Sequence, residues 1–184
     1  MGHSALLDSK FYSLLLRIDE DEAAKTRASG CIVCGGVLHS ARYPRKPRGG
    51  PGDLSEACRF RRSFCCAICD KRHKPMSVLF LGRRVYLSAV VVLASALRSG
   101  LSGRRTEQLT GWIGVPKRTL ERWRVWWLHD FVASPFWVNA RARFMPPLEA
   151  AALPASVVER FGAPDLASQL LAALRFLAPL HEGR

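Results

Sequence analysis

The chain has 184 residues, 48% of them hydrophobic and 23% charged, with a net charge of +13; this is enough apolar material for one packed domain or two small ones and excludes a disordered polar tail. The longest apolar run, Val85 to Leu97, is too short to span a bilayer, and no N-terminal stretch has the charged, apolar, small-residue order of an export signal. A bacterial-type cytoplasm or a nucleus is therefore expected, and there six cysteines at paired spacing point to a bound metal rather than to disulfides.

The fold class expected is mainly α with a small β ribbon, in four segments: 1–29, 30–82, 83–133 and 134–184. In the first, Leu6, Phe11, Leu14, Leu15 and Ile18 recur at helical spacing. A second helix is expected to start at Asp19, with Glu22 as its capping-box partner, and to stop near Gly30. Its acidic start keeps this pair off any anionic partner, so it is read as a lid or a homodimer contact.

From Gly30 to Gly82 the texture changes to cysteines and Gly/Pro punctuation, with short runs at Val37 to Tyr43 and Arg59 to Phe64 that suit brief strands. The segment Arg45-Lys46-Pro47-Arg48-Gly49-Gly50-Pro51-Gly52 has the turn residues and charge of an exposed loop. It either touches phosphate through Arg45, Lys46 and Arg48 or is simply a solvated tip. Val85 to Leu97 then reads as a helix buried on most sides, ended by Gly100. Two further helices, Arg104 to Ile113 and Lys117 to Phe131, are joined through Gly114, Val115 and Pro116. Beyond Ser134-Pro135 come a Trp/Phe stretch, a break at Pro146-Pro147 and a Leu-rich helix from about Asp165 to Leu177.

The cysteines form two Cys-x-x-Cys pairs, Cys31/Cys34 and Cys66/Cys69. Such a turn places two sulfurs on one side of an ion with backbone amides aimed at them, and two turns complete the four-thiolate shell that structural Zn2+ prefers. Gly35-Gly36 permits the tight turn after the first pair. Cys66 is preferred to Cys65 because it restores the two-residue gap, and Cys65 falls on the other strand face. His73 is a substitute ligand to be weighed, and Cys58 a small buried side chain. Lys71, Arg72 and Lys74 follow closely enough to offset the formal −2 of a four-thiolate zinc site. A thioredoxin-like redox pair would need a βαβ setting that is missing here.

The positive charge is localised. Residues 41–124 hold 19 Lys/Arg against 5 Asp/Glu, an excess of 14, and the rest of the chain sums to −1. A stretch of this kind neutralises phosphates and releases counterions. Within it, Lys117, Arg118, Glu121, Arg122 and Arg124 are polar while Leu120, Trp123 and Trp127 make an apolar stripe, the pattern of a helix-turn-helix recognition helix with its turn at Gly114 and Pro116. Lys117, Arg118, Arg122 and Arg124, with Arg104 and Arg105 ahead of them, are candidate contacts to double-stranded DNA. Thr119 is a candidate for a phosphate or a thymine methyl. The five tryptophans, at helical spacing, are read as core rather than as stacking platforms.

The run Cys66 to Phe80, then Gly82-Arg83-Arg84 and the apolar helix, resembles the zinc-ribbon and helix-turn-helix start of bacterial DDE-type insertion-sequence transposases, over about residues 30 to 131. That resemblance implies Cys31, Cys34, Cys66 and Cys69 as zinc ligands and Lys117, Arg118 and Arg122 as DNA-reading residues. The chain departs from that family after Phe131: Glu149, Glu159 and Asp165 sit in Ala/Leu/Pro segments that cannot build a catalytic α/β sheet. No enzyme activity is expected. The reading is a nucleoid-associated DNA-binding accessory or regulatory protein of a mobile element, with a separate transposase or integrase supplying catalysis. Its rivals are an adaptor docking protein through the stripe Leu166, Leu170, Leu171, Leu174 and Leu177, and an RNA binder.

Overall fold

The computed structural model describes residues 7–82, 85–98 and 115–182. They are mainly helical, with one small three-stranded antiparallel sheet. Contacts divide the chain into two compact units, 1–87 with 177–184, and 88–176.

The first unit opens with α1 (Ser9–Ser29), one continuous helix where the sequence pattern suggests two. Its cap is Asp8, whose Oδ1 accepts the amide of Phe11 at 2.8 Å. Phe11, Tyr12, Leu15 and Ala23 make the buried stripe. Asp19 does not start a helix. It lies mid-helix, and its carboxylate accepts the Ser77 hydroxyl at 2.5 Å and the amides of Val78 at 2.7 Å and Leu79 at 3.3 Å. The donors that a cap would find in its own first turn come instead from a segment nearly sixty residues away.

Strands β1 (Leu38–Pro44) and β2 (Phe60–Cys66) pair antiparallel from Leu38 opposite Cys66 to Pro44 opposite Phe60, and the two-residue β3 (Arg72–His73) pairs with β2 on its other side. The connection between β1 and β2 is tied down rather than free. Arg48 donates its amide to the Val85 carbonyl at 2.9 Å and accepts the Leu87 amide at 3.2 Å. Beyond it a 3-10 turn, Glu56–Arg59, buries Cys58 completely. The β2 residue Arg61 is 5% exposed, and its Nη1 donates to the Gly82 carbonyl at 3.2 Å. Burial lowers the pKa of this guanidinium, and one cation of the basic segment is thereby withdrawn from the surface.

The second unit is built on α2 (Ser88–Arg98), in which every residue from Ala89 to Leu93 is at most 2% exposed. Burial of each Val or Leu there is worth roughly 1.5–3 kcal/mol before entropic costs. The helix begins at Ser88 instead of Val85 because Tyr86 and Leu87 are held extended in bridges to Arg48 and Phe80. Next comes α3 (Lys117–Val125), whose first turn is closed by the Thr119 and Leu120 amides on the Pro116 carbonyl. It runs on into a π-helical turn, Trp126–Phe131, the wider winding that admits an extra residue. That turn brings Trp127 and Phe131 together at 4.8 Å between ring centroids, and Phe131 against Trp137 at 5.0 Å. Trp123, Trp127 and Trp137 are buried, as a core role requires.

Short helices α4 (Pro135–Ala140) and α5 (Ala155–Arg160) flank the proline break, which Arg160 secures through the carbonyls of Met145 and Pro146 at 2.9 and 2.8 Å. The Leu-rich α6 (Leu166–Leu177) buries Leu170, Leu174 and Leu177 to at most 1% exposure. Three of the five residues that would form an adaptor's docking stripe are thus core.

Candidate metal centre and basic helix

The first cysteine turn grows directly from the end of α1. Gly30 takes a left-handed φ of 71°, which a Cβ would strain, and its amide closes the helix on the Arg27 carbonyl at 3.3 Å. Cys31 then donates its amide to the Gly36 carbonyl at 2.9 Å, and Gly35 returns one to the Cys31 carbonyl at 2.8 Å. At Gly36 there is no room for a side chain: a Cβ would lie 2.9 Å from Cys66 Sγ and 3.0 Å from Ile68 Cδ1. The glycine therefore admits the second turn against the first.

That second turn leaves the end of β2. The Cys66 amide donates to the Lys71 carbonyl at 3.0 Å and the Asp70 amide to the Cys66 carbonyl at 3.2 Å, with Asp70 itself left-handed at φ 55°, a conformation Asp tolerates. A bond from the Ala67 amide to the Val37 carbonyl at 2.9 Å joins the two turns. In each, the amide two residues on points back at the leading sulfur, Val33 to Cys31 and Ile68 to Cys66, both at 3.4 Å.

All four sulfurs, Cys31, Cys34, Cys66 and Cys69, lie within 4.8 Å of one another, with Cys31 to Cys69 at 3.5 Å and Cys34 to Cys66 at 3.4 Å. Tetrahedral bonds of about 2.3 Å set sulfurs roughly 3.8 Å apart, so these residues fit a four-coordinate ion. The thiols are unequal. Cys66 is drawn down to about 6, chiefly by the amides of Cys69 and Ile68. Cys69 is pushed up to about 12: the Lys71 amide lowers it, but burial and the three neighbouring sulfurs together outweigh that. A cation is the natural replacement for protons that such a cluster cannot all lose. The inner wall of the site is the small cluster of Ala23, Leu38 and Phe64 with Cys31 and Cys66.

Cys65 lies outside the tetrad, its thiol directed at the Asp70 carbonyl at 3.5 Å. Cys58 is buried elsewhere in the same unit. His73 is close without joining the group: its Nε2 is 3.2 Å from Cys31 Sγ. The spacing of the cysteines makes the tetrad legible, whereas the steric role of Gly36 is signalled only by the Gly-Gly pair.

Of the candidate DNA contacts, Lys117, Arg118, Arg122 and Arg124 are all exposed on α3, whose Leu120 and Trp123 are buried. Thr119 is 8% exposed, on the inner side of the helix, where its Oγ1 accepts from Arg122 Nη2 at 3.3 Å. A β-branched residue one position before Leu120 shares the inward arc, which a count of polar residues does not reveal. Lys46 and Arg48 are exposed, while Arg45 is half-buried with its guanidinium 5.2 Å from the Phe80 ring. Arg104, Arg105 and the helix expected over 104–113 lie outside the described residues, as does Gly114. No described helix is long and apolar enough to cross a membrane.

No family model, curated protein or solved structure matches the chain.

Proposed function

We propose that this chain is a double-stranded DNA-binding protein whose first unit is held together by one structural Zn2+ on Cys31, Cys34, Cys66 and Cys69. The ion would supply cross-linking between the two cysteine turns and no reaction chemistry: four thiolates leave no open position for a substrate or an activated water. Zinc is favoured by the all-sulfur donor set.

The observation that carries the DNA reading is α3. Four exposed cations stand on it within eight residues, while Thr119, Leu120 and Trp123 are buried. Cations displayed from a packed helix suit a major groove, where Arg and Lys bind guanine O6 and N7. The basic excess over 41–124 adds a sequence-independent phosphate affinity. With its resemblance to transposase N-terminal regions, this supports a role as an accessory or regulatory component of a mobile element, working beside a separate transposase or integrase.

A mobility-shift titration of the full chain against duplex DNA at increasing salt tests the reading. Affinity should fall steeply with salt, and Arg118→Ala combined with Arg122→Ala should weaken it. Binding indifferent to salt and to both substitutions would overturn the proposal, and stronger competition by RNA than by duplex would replace it with an RNA-binding one.

A further inference from the structure

We propose that His73 belongs to the metal centre as a positioning residue, donating its Nε2–H to the Cys31 thiolate and holding that sulfur towards the ion without itself ligating. The inference rests on the metal reading above. It starts from one contact between the two halves of the site: His73 sits on the strand that follows the second cysteine turn, yet its ring reaches the leading sulfur of the first, 3.2 Å away.

The backbone fixes that reach. After Cys69 the left-handed Asp70 reverses the chain, and β3 pairs at once with β2, Arg72 opposite Cys65 and His73 opposite Phe64. Phe64 belongs to the apolar wall that also holds Cys31 and Cys66. Strand alternation turns His73 away from its exposed neighbours Arg72 and Lys74. The ring is thereby aimed at Cys31 by main-chain pairing rather than by a mobile side chain.

The chemistry decides the direction of the bond. A metal-bound thiolate has no hydrogen, so the imidazole must be the donor, in its Nε2–H form. Four thiolates around a divalent ion carry an excess of two negative charges, which N–H donors relieve. Cys31 receives two such donors, the Val33 amide and His73. Ligation by His73 is disfavoured by geometry, because the mutually close ligand atoms are those of the four cysteines alone among the described residues.

The test compares the full-length parent with His73→Ala, His73→Phe and His73→Gln at one fixed pH, in zinc competition against a chromophoric chelator and in absorption spectra of the Co2+-substituted proteins. Loss of the donor in the Ala and Phe variants should weaken zinc binding about tenfold, the lower end for such outer partners. It should also move the sulfur-to-cobalt band to lower energy at undiminished intensity. His73→Gln, which keeps an amide N–H near the same place, should recover most of both. Equal affinity and spectra in all four proteins would overturn the proposal. So would a parental cobalt spectrum of mixed sulfur and nitrogen ligation that becomes all-sulfur in His73→Ala, because His73 would then be a ligand. A parent that takes up neither zinc nor cobalt would bring down the metal reading itself.

Discussion

Asp19, halfway along α1, accepts the amide of Val78 at 2.7 Å and so pins the helix to the chain that leads out of the sheet. Burial is the largest influence on this carboxyl and raises it from 3.8 to about 6, against the opposing hydrogen bonds from Ser77, Val78 and Leu79. The folded protein then holds the proton more tightly than the unfolded chain. Its stabilising contribution is complete below about pH 4 and is lost as pH rises through 6. Asp19→Asn keeps an acceptor without the charge, so its stability relative to the parent should improve between pH 5 and 7.5 by on the order of 1 kcal/mol. Asp19→Ala strands its donors and should cost about 1–3 kcal/mol. Urea denaturation of the three proteins at both pH values checks this, and parallel profiles for the Asp19→Asn variant and the parent would contradict it.

The two adjacent cysteines should behave oppositely. Cys66→Ser removes one corner of the tetrad and should abolish stoichiometric metal, whereas Cys65→Ser should leave one ion per chain. Elemental analysis of the purified variants reads this directly. Metal loss from the Cys65 variant would place Cys65, not Cys66, among the four ligands.

Gly36 is a packing requirement of the same site. With a Cβ 2.9 Å from Cys66 Sγ, Gly36→Ala must displace that sulfur or the turn that carries it and should weaken metal binding about tenfold or more. Gly52→Ala is the control, since nothing lies within 4 Å of its Cβ position. Chelator competition separates the two, and equal affinities would refute the steric argument.

On α3, substitutions should sort by side. Lys117→Ala, Arg118→Ala, Arg122→Ala and Arg124→Ala should each lower DNA affinity, and any that removes a phosphate contact should reduce the salt slope by roughly 1. Thr119→Val should leave the slope unchanged because the residue faces inward. A Thr119 variant that alters the slope as an arginine variant does would show that α3 is presented differently to DNA.

Local patterns are legible in the sequence wherever the structure is itself local. The Cys-x-x-Cys pairs, the strands near Val37–Tyr43 and Arg59–Phe64, and the Leu-rich helix ending at Leu177 all depend on spacing within a few residues. Asp19 shows where this stops: an acidic residue with Glu22 three positions on carries the signature of a cap, but its partners are Ser77, Val78 and Leu79. The loop around Arg48 looks free for the same reason, since its tether is the backbone at Val85 and Leu87. The π turn at Trp126–Phe131 has no propensity signal, and the ring contacts that accompany it, Phe131 with Trp127 and Trp137, follow no short-range spacing rule.

Because Gly30 closes α1 and the very next residue is a sulfur donor, an ion at the tetrad would clasp the tail of that helix as Asp19 latches its waist. The 21-residue rod would then be secured at two stations that answer to different agents, chelators at one and acidity at the other. Stripping such an ion should loosen Thr26 to Ser29 first, with faster amide exchange there than in the turns up to Asp19.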